Sequence, residues 1–145
     1  MIPWQLFQLT DRDRSGLLLR DGKISLANFG SSVSLQTTYT IPADYMYILF
    51  GFGCQATGGA GQFPNTTGIE SWAPGAGVAE WTQYQDFLNP TAGVVAKTQM
   101  VTCYALIGPS HRLIQRTSFT GGAVSNIVTH SLQGMLVSKG TIGYS

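Results

Sequence analysis

SVSLQTTYTIPADYMYILFGFGCQ, residues 32–55, reads as two β-strands and the turn between them. In Ser32–Ile41 the apolar residues Val33, Leu35, Tyr39 and Ile41 share one parity. Ser32, Ser34, Gln36, Thr38 and Thr40 hold the other. Alternation with period two over ten residues is the mark of a half-buried strand. Pro42-Ala43-Asp44 is a turn, because Pro presets φ and Asp bonds back to the chain. Tyr45–Gln55 follows as a long apolar strand, with Met46, Ile48, Phe50, Phe52 and Cys54 expected on the inner face. Gly51 and Gly53 fall opposite, where a neighbour can approach closely.

The same grammar resumes downstream. Val94–Ile107 is rich in Val, Thr, Met, Cys and Tyr, and Gly108-Pro109-Ser110 is a turn. His111–Thr120 follows, with Leu113, Gln115, Thr117 and Phe119 on one face. After Gly121-Gly122, Val124–Val137 is a last long strand, expected to bulge at Gly134. Between these blocks lies a Gly/Pro/Asn-rich excursion, residues 57–93, with short strands expected near Gly68–Trp72 and Val78–Tyr84. No stretch carries helical periodicity beyond a turn or two, and no long repeat is visible. The expected fold is all-β: a jelly-roll-like β-sandwich of about eight strands with an extended N-terminal arm. Residues 1–20 form the arm or hairpin segment and 21–145 a single sandwich domain, a size that supports its own core.

Composition narrows the function classes. Of 145 residues only 10% are charged, against roughly 25% in an average soluble domain. Eight Lys and Arg face seven Asp and Glu, so there is no basic field for nucleic acid. Arg12, Arg14, Arg20 and Lys23 alternate with Asp11, Asp13 and Asp21 and largely cancel. The longest apolar run, Tyr45–Cys54, is too short to span a bilayer. The opening MIPWQLFQLTDRD lacks a basic leader and a continuous apolar run, which argues against a secretory signal and for production in a reducing cytoplasm. Cys54 and Cys103 sit inside predicted strands and are expected to be buried free thiols, with pairing as the alternative.

The chemical motifs are incomplete. Asp11-Arg12-Asp13-Arg14-Ser15-Gly16 opens like a calcium loop, but Gly22 stands where the closing Glu belongs. Gly16–Lys23 is one residue too long for a phosphate loop, and Ile24 replaces the magnesium-binding hydroxyl. A small hairpin, Leu17–Arg20 with Lys23–Leu26 across Asp-Gly, is the simpler reading. His111 follows a turn and is expected to be exposed. His130 shares parity with Val128 and Leu132 and is expected to point inward as a hydrogen-bonded core residue. Glu70 and Glu80, the only glutamates, lie in the irregular stretch, a poor platform for a hydrolytic acid pair. The sequence therefore points to no enzyme, no cofactor and no metal.

What remains is contact surface. Trp72, Trp81, Tyr84 and Phe87 form an aromatic set almost without charge, the composition of an interface core. The ordinary alternative is that they cap one end of the sandwich. Trp4, Leu6, Phe7 and Leu9 place four large apolar groups in nine residues, costly to leave in water at about 25 cal/mol per Å². The arm either packs on its own sandwich or reaches a neighbouring subunit, with Arg12, Arg14 and Arg20 beside the contact.

Three segments together carry a resemblance: TTYTIPADYMYILFGFGCQATGG, the Gly-rich middle, and the closing VTHSLQGMLVSKGTIGYS. Over residues 32–57 and 125–145 the chain resembles the small jelly-roll capsid cement (decoration) proteins of short-tailed bacteriophages. That resemblance implies a dimer or trimer on the outer capsid surface, clamping joints between major capsid protein subunits. Spike and fibre-head domains share the strand pattern. The alternative is thus a receptor- or carbohydrate-binding head that stacks sugars on Trp72 and Trp81, with Asn65, Gln83 and Asn89 as amide partners.

Overall fold

The computed structural model describes residues 23–30, 34–58, 63–87, 97–120 and 126–138. They form eight strands in two four-stranded antiparallel sheets: β1 Lys23–Gly30, β2 Ser34–Thr40, β3 Tyr45–Thr57, β4 Phe63–Trp72, β5 Trp81–Asp86, β6 Lys97–Ile107, β7 Arg112–Thr120 and β8 Asn126–Ser138. One sheet has the order β1-β8-β3-β6, the other β2-β7-β4-β5. We call them sheets A and B. The pairs β1–β8, β2–β7, β3–β6 and β4–β5 are those of one long antiparallel ladder, hinged at the β4–β5 hairpin and rolled into two layers. This is the jelly-roll arrangement, and it confirms the expected β-sandwich.

The excursion is more regular than its composition promised. β4 and β5 both lie within it, and the expected strand near Val78–Tyr84 begins at Trp81. A tight turn at Ala73–Ala76 starts their connection: Ala76 N–H donates to the Ala73 carbonyl at 3.1 Å, and Gly75 has a φ of 70° that its lack of a side chain permits. The β2–β3 and β6–β7 turns close together at one end. There Ile41 N–H donates to the His111 carbonyl at 2.9 Å and Ser110 N–H to that of Ile41 at 3.0 Å. Lys23–Leu26 lies in β1 and pairs with β8; its expected hairpin partner, Leu17–Arg20, lies outside the described residues.

The core fills the space between the sheets. Tyr47, Leu49, Phe52, Cys103, Ala105, Ile107, Leu132 and Leu136 from sheet A meet Ile69 and Leu113 from sheet B. Tyr39 and Tyr47 pack edge to face at 6.0 Å. A second cluster joins Leu35, Cys54, Ala56, Phe87, Phe119 and Val128.

One expectation about β3 fails. Met46, Ile48 and Phe50 do not share the inner face with Phe52 and Cys54. Between Leu49 and Gly51 the register slips by one residue: β3 carries one residue more than β8 there and one fewer than β6. Because side chains alternate, one extra residue exchanges the faces. Before the bulge Tyr47 and Leu49 point into the core; after it Phe52, Cys54 and Ala56 do. The bulge therefore sits in β3, across from Gly134 rather than at it. Gly134 serves another purpose: a Cβ there would strike the Ile48 carbonyl and the Tyr47 ring, so glycine lets Tyr47 lie flat across β8.

Candidate functional site

The two outer faces of the sandwich differ in chemistry, and that difference defines the candidate site. On sheet B the outward positions of β4, β5 and β7 carry Glu70, Trp72, Tyr84, Arg112 and Arg116. Glu70 is buried at their centre. It accepts from Trp72 Nε1 at 2.9 Å, from the Tyr84 hydroxyl, and from Arg116 Nε at 3.2 Å to each oxygen. Burial pushes its pKa up, but the bonds from Tyr84, Trp72 and Arg116 and the Arg116 charge outweigh that and hold it below the ordinary value. Burial, together with the bond to Glu70, pushes the Tyr84 hydroxyl up to about 12. The Tyr84 ring lies over Gly68, where no side chain obstructs it. Arg116 also donates to Gln36 Oε1, and the Arg112 guanidinium stands 5.6 Å over Trp72. A carboxylate held ionised by three donors is unsuited to act as a general acid. Glu80 is engaged separately, at 3.1 Å from His111 Nε2.

These contacts divide the expected aromatic set. Trp72 and Tyr84 belong to the outer face of sheet B. Trp81, expected as contact surface, turns inward and packs on the main core, because its register position opposite Ser71 faces the other sheet. Phe87, also expected at a contact, is buried in the second cluster. Trp72 and Trp81 therefore lie on opposite faces of one sheet and cannot form a continuous stacking platform for a sugar. His111, expected to be exposed, is half-buried between Glu80 and the Pro109 carbonyl. Trp4, Leu6, Phe7, Leu9, Arg12, Arg14, Arg20, the Asp11–Gly16 segment and Asn89 lie outside the described residues.

Between the sheets runs a chain of polar contacts centred on His130, which points inward as its parity predicts. Its ring is fully buried, with Nδ1 2.7 Å from Thr37 Oγ1 and Nε2 2.7 Å from Thr117 Oγ1. Thr117 Oγ1 also contacts Cys54 Sγ at 3.1 Å and Thr67 Oγ1 at 3.2 Å. A hydroxyl has one proton and two lone pairs, so three neighbours saturate it. Gln115 Nε2 donates across the layers to the Gly53 carbonyl at 3.2 Å. Desolvation lowers the His130 pKa to about 4, so the ring is neutral at pH 7. Cys54 and Cys103 are free and buried, as expected, and burial raises each thiol to about 11. This network ties sheet to sheet; its groups are enclosed and shifted away from reactivity. Among the described residues no group of three His, Cys, Asp or Glu could hold a metal ion.

The outer face of sheet A is the opposite of sheet B. Its outward positions on β3, β6 and β8 hold no charged residue. Met46, Ile48, Phe50, Leu106, Met135 and Val137 lie toward one end. Met100, Tyr104 and Ile127 continue the face and are 50%, 53% and 53% exposed. Gln55, Thr98, Thr102, Thr129, Ser131 and Gln133 hold the remaining outward positions, so the face is part apolar and part neutral polar. The sequence reading missed this face because it assigned Met46, Ile48 and Phe50 to the core. The paired glycines Gly51 and Gly53 were the available signal of an irregular strand.

No family model matches the chain, and no curated protein does. Among solved structures, one of infectious bursal disease virus, Gx strain, aligns with 85% of this chain and 31% of its own, at 14% identity and a TM-score of 0.43. Dimeric latent PorU from Porphyromonas gingivalis aligns with 82% of this chain and 13% of its own, at 8% identity and a TM-score of 0.32. A nora virus structure aligns with 89% of this chain and 65% of its own, at 12% identity and a TM-score of 0.29. The chain thus spans about a third of the first of these proteins and a smaller part of the second.

Proposed function

We propose that this chain is a non-enzymatic structural protein of a virion, a capsid cement protein. In this reading it multimerises as a dimer or trimer and clamps neighbouring major capsid subunits on the outer shell, after synthesis in the host cytoplasm. The observation that carries the reading is the exposure of Met100, Tyr104 and Ile127, three large apolar side chains about half in solvent on the outer face of one sheet of a jelly roll. Half-exposed large side chains gain little in water and much when covered, at about 25 cal/mol per Å². Repeated over a lattice, modest footprints add through effective concentration, so no single strong site is required. The sequence resemblance over residues 32–57 and 125–145 points the same way. The carbohydrate-head alternative loses its stacking platform, because Trp72 and Trp81 face opposite directions.

The test is co-sedimentation of the purified protein with empty capsids assembled from purified phage major capsid protein. Tyr104→Asp with Met100→Lys should lower capsid occupancy at least tenfold while the fold survives, since both side chains are half-exposed. Wild-type protein that fails to bind such capsids, or a double variant that binds them equally well, refutes the reading.

A further inference from the structure

Among the described residues sheet A ends on β6, which pairs with β3 alone. The free side of an edge strand is a row of unpaired N–H and C=O groups, which proteins usually defend with charge, proline or brevity. β5, an edge of sheet B, has six residues and closes on Asp86. β6 has eleven, the longest of the four edge strands, and neither charge nor proline follows Lys97. Its register against β3 is unbroken from Lys97 to Thr102, so the edge is regular there. Thr98, Met100 and Thr102, the outward residues of that stretch, are all exposed, Met100 by half. Met100 does not crowd the edge. Its thioether lies back over Gly53, the residue opposite it on β3, where a side chain would strike the sulfur. We propose that β6 pairs antiparallel with β6 of a second copy of this chain, about a two-fold axis at Met100. The two A sheets, of four strands each, then run on as one.

Three features select a second copy as the partner. First, the strand is complementary to itself. Pairing about Met100 sets Thr98 opposite Thr102 of the second copy, and Thr102 opposite its Thr98. Two neutral Thr–Thr pairs then flank a Met–Met pair, and Thr–Thr is a favourable cross-strand combination. Second, the antiparallel sense keeps the only charged position apart. Lys97 and its copy fall at opposite ends, each across from Cys103, whereas parallel pairing would set them side by side. Third, eight basic against seven acidic residues leave two copies free to approach without net repulsion. An axis normal to the sheet preserves its faces, so both copies present Tyr104 and Ile127 on the same side. The dimer thus doubles the half-exposed apolar surface, and its pairing requires no capsid.

The test is sedimentation equilibrium of the full purified chain, without capsids, over a dilution series. A reversible dimer is expected. Thr98→Lys with Thr102→Lys sets lysine against lysine twice across the axis and should weaken the dimer about tenfold. Thr98→Glu with Thr102→Glu should do the same. An equal mixture of the two double variants should dimerise again, because each lysine then faces a glutamate. Both positions are exposed, so the fold should survive, and urea unfolding of each variant checks it. Met100→Cys tests the register: oxidised glutathione should link two such chains through position 100, whereas Tyr104→Cys should give no linked dimer. An unaltered chain that stays monomeric throughout the series overturns the proposal, whether or not that monomer binds capsids. So does a trimer, a dimer that ignores both double variants, a mixture that stays monomeric, or linkage at position 104 in place of 100.

Discussion

Acid should weaken the inter-sheet contact at His130, and the size of the effect follows from its burial. The ring is fully enclosed between Thr37 and Thr117, and desolvation lowers its pKa from 6.5 to about 4. In the unfolded chain the imidazole titrates near its ordinary value. Between these values the unfolded state binds a proton that the native state refuses. Stability is therefore fully present above pH 6.5, falls as pH drops toward 4, and levels off below. Each pH unit of difference is worth about 1.4 kcal/mol, so the whole linkage is roughly 3 kcal/mol, with about 2 kcal/mol of it lost between pH 7 and pH 5. The two neutral threonine hydroxyls can accept from a protonated ring but bring no charge to offset its burial. The assay is urea unfolding at pH 7 and pH 5 for the unaltered protein and for His130→Gln. The variant should be less stable at pH 7 and should lack this part of the acid slope. NMR titration of the imidazoles gives an independent measure if the variant folds poorly. A His130 that titrates near 6.5 in the folded protein, or equal slopes in the two proteins, refutes the reasoning.

Two further outcomes are expected. Glu70→Gln removes the charge that Arg116, Tyr84 and Trp72 converge on. With Arg116 partly solvated, the loss should be about 1 kcal/mol at pH 7. Because the native carboxyl is held below 4.5, the gap to the unaltered protein should persist above that pH and close as pH falls further, measured by urea midpoints. A gap that widens in acid contradicts the assignment. Gly134→Ala drives a methyl into the Ile48 carbonyl and the Tyr47 ring. The expected cost is roughly 2–3 kcal/mol in thermal or urea unfolding; a loss below about 0.5 kcal/mol would show that β8 and Tyr47 readily move apart.

The strands were legible in the sequence wherever one face is wet. Leu113, Gln115, Thr117 and Phe119 are buried, Arg116 and Ser118 between them are partly exposed, and their inward parity in β7 is as read, although Ile114 on the other face is buried too. His130 was legible for the same reason, through its parity with Val128 and Leu132. β3 defeated the same logic. Apolar residues occupy both its faces, so parity carries no information there. Only pairing partners reveal that one residue is extra. The Glu70 cluster was invisible for a different reason. Its members come from β4, β5 and β7, up to 46 positions apart, and each side chain taken alone is unremarkable. Trp81 and Trp72 show how a residue count misleads: nine positions separate them, yet a hairpin connection places them on opposite sides of one sheet.

The asymmetry between the faces bears on how such a domain can orient itself. On sheet B the outward charges are engaged, Glu70 with Arg116 and Arg112 over the Trp72 ring. Burying that face against a partner would desolvate ions already satisfied, a cost seldom recovered. Sheet A carries less of that penalty: the outward groups of β3, β6 and β8 are apolar or neutral, and covering them releases water. Covering sheet A is therefore the less costly of the two for any partner. The β3 bulge stands at the origin of this polarity. Without its extra residue, Met46 and Ile48 would join Phe52 on the inner side, Tyr47 would be turned out, and sheet A would lose part of its apolar outer layer. A single irregular position in one strand thus links the packing of the core to the chemistry of the outer face of sheet A.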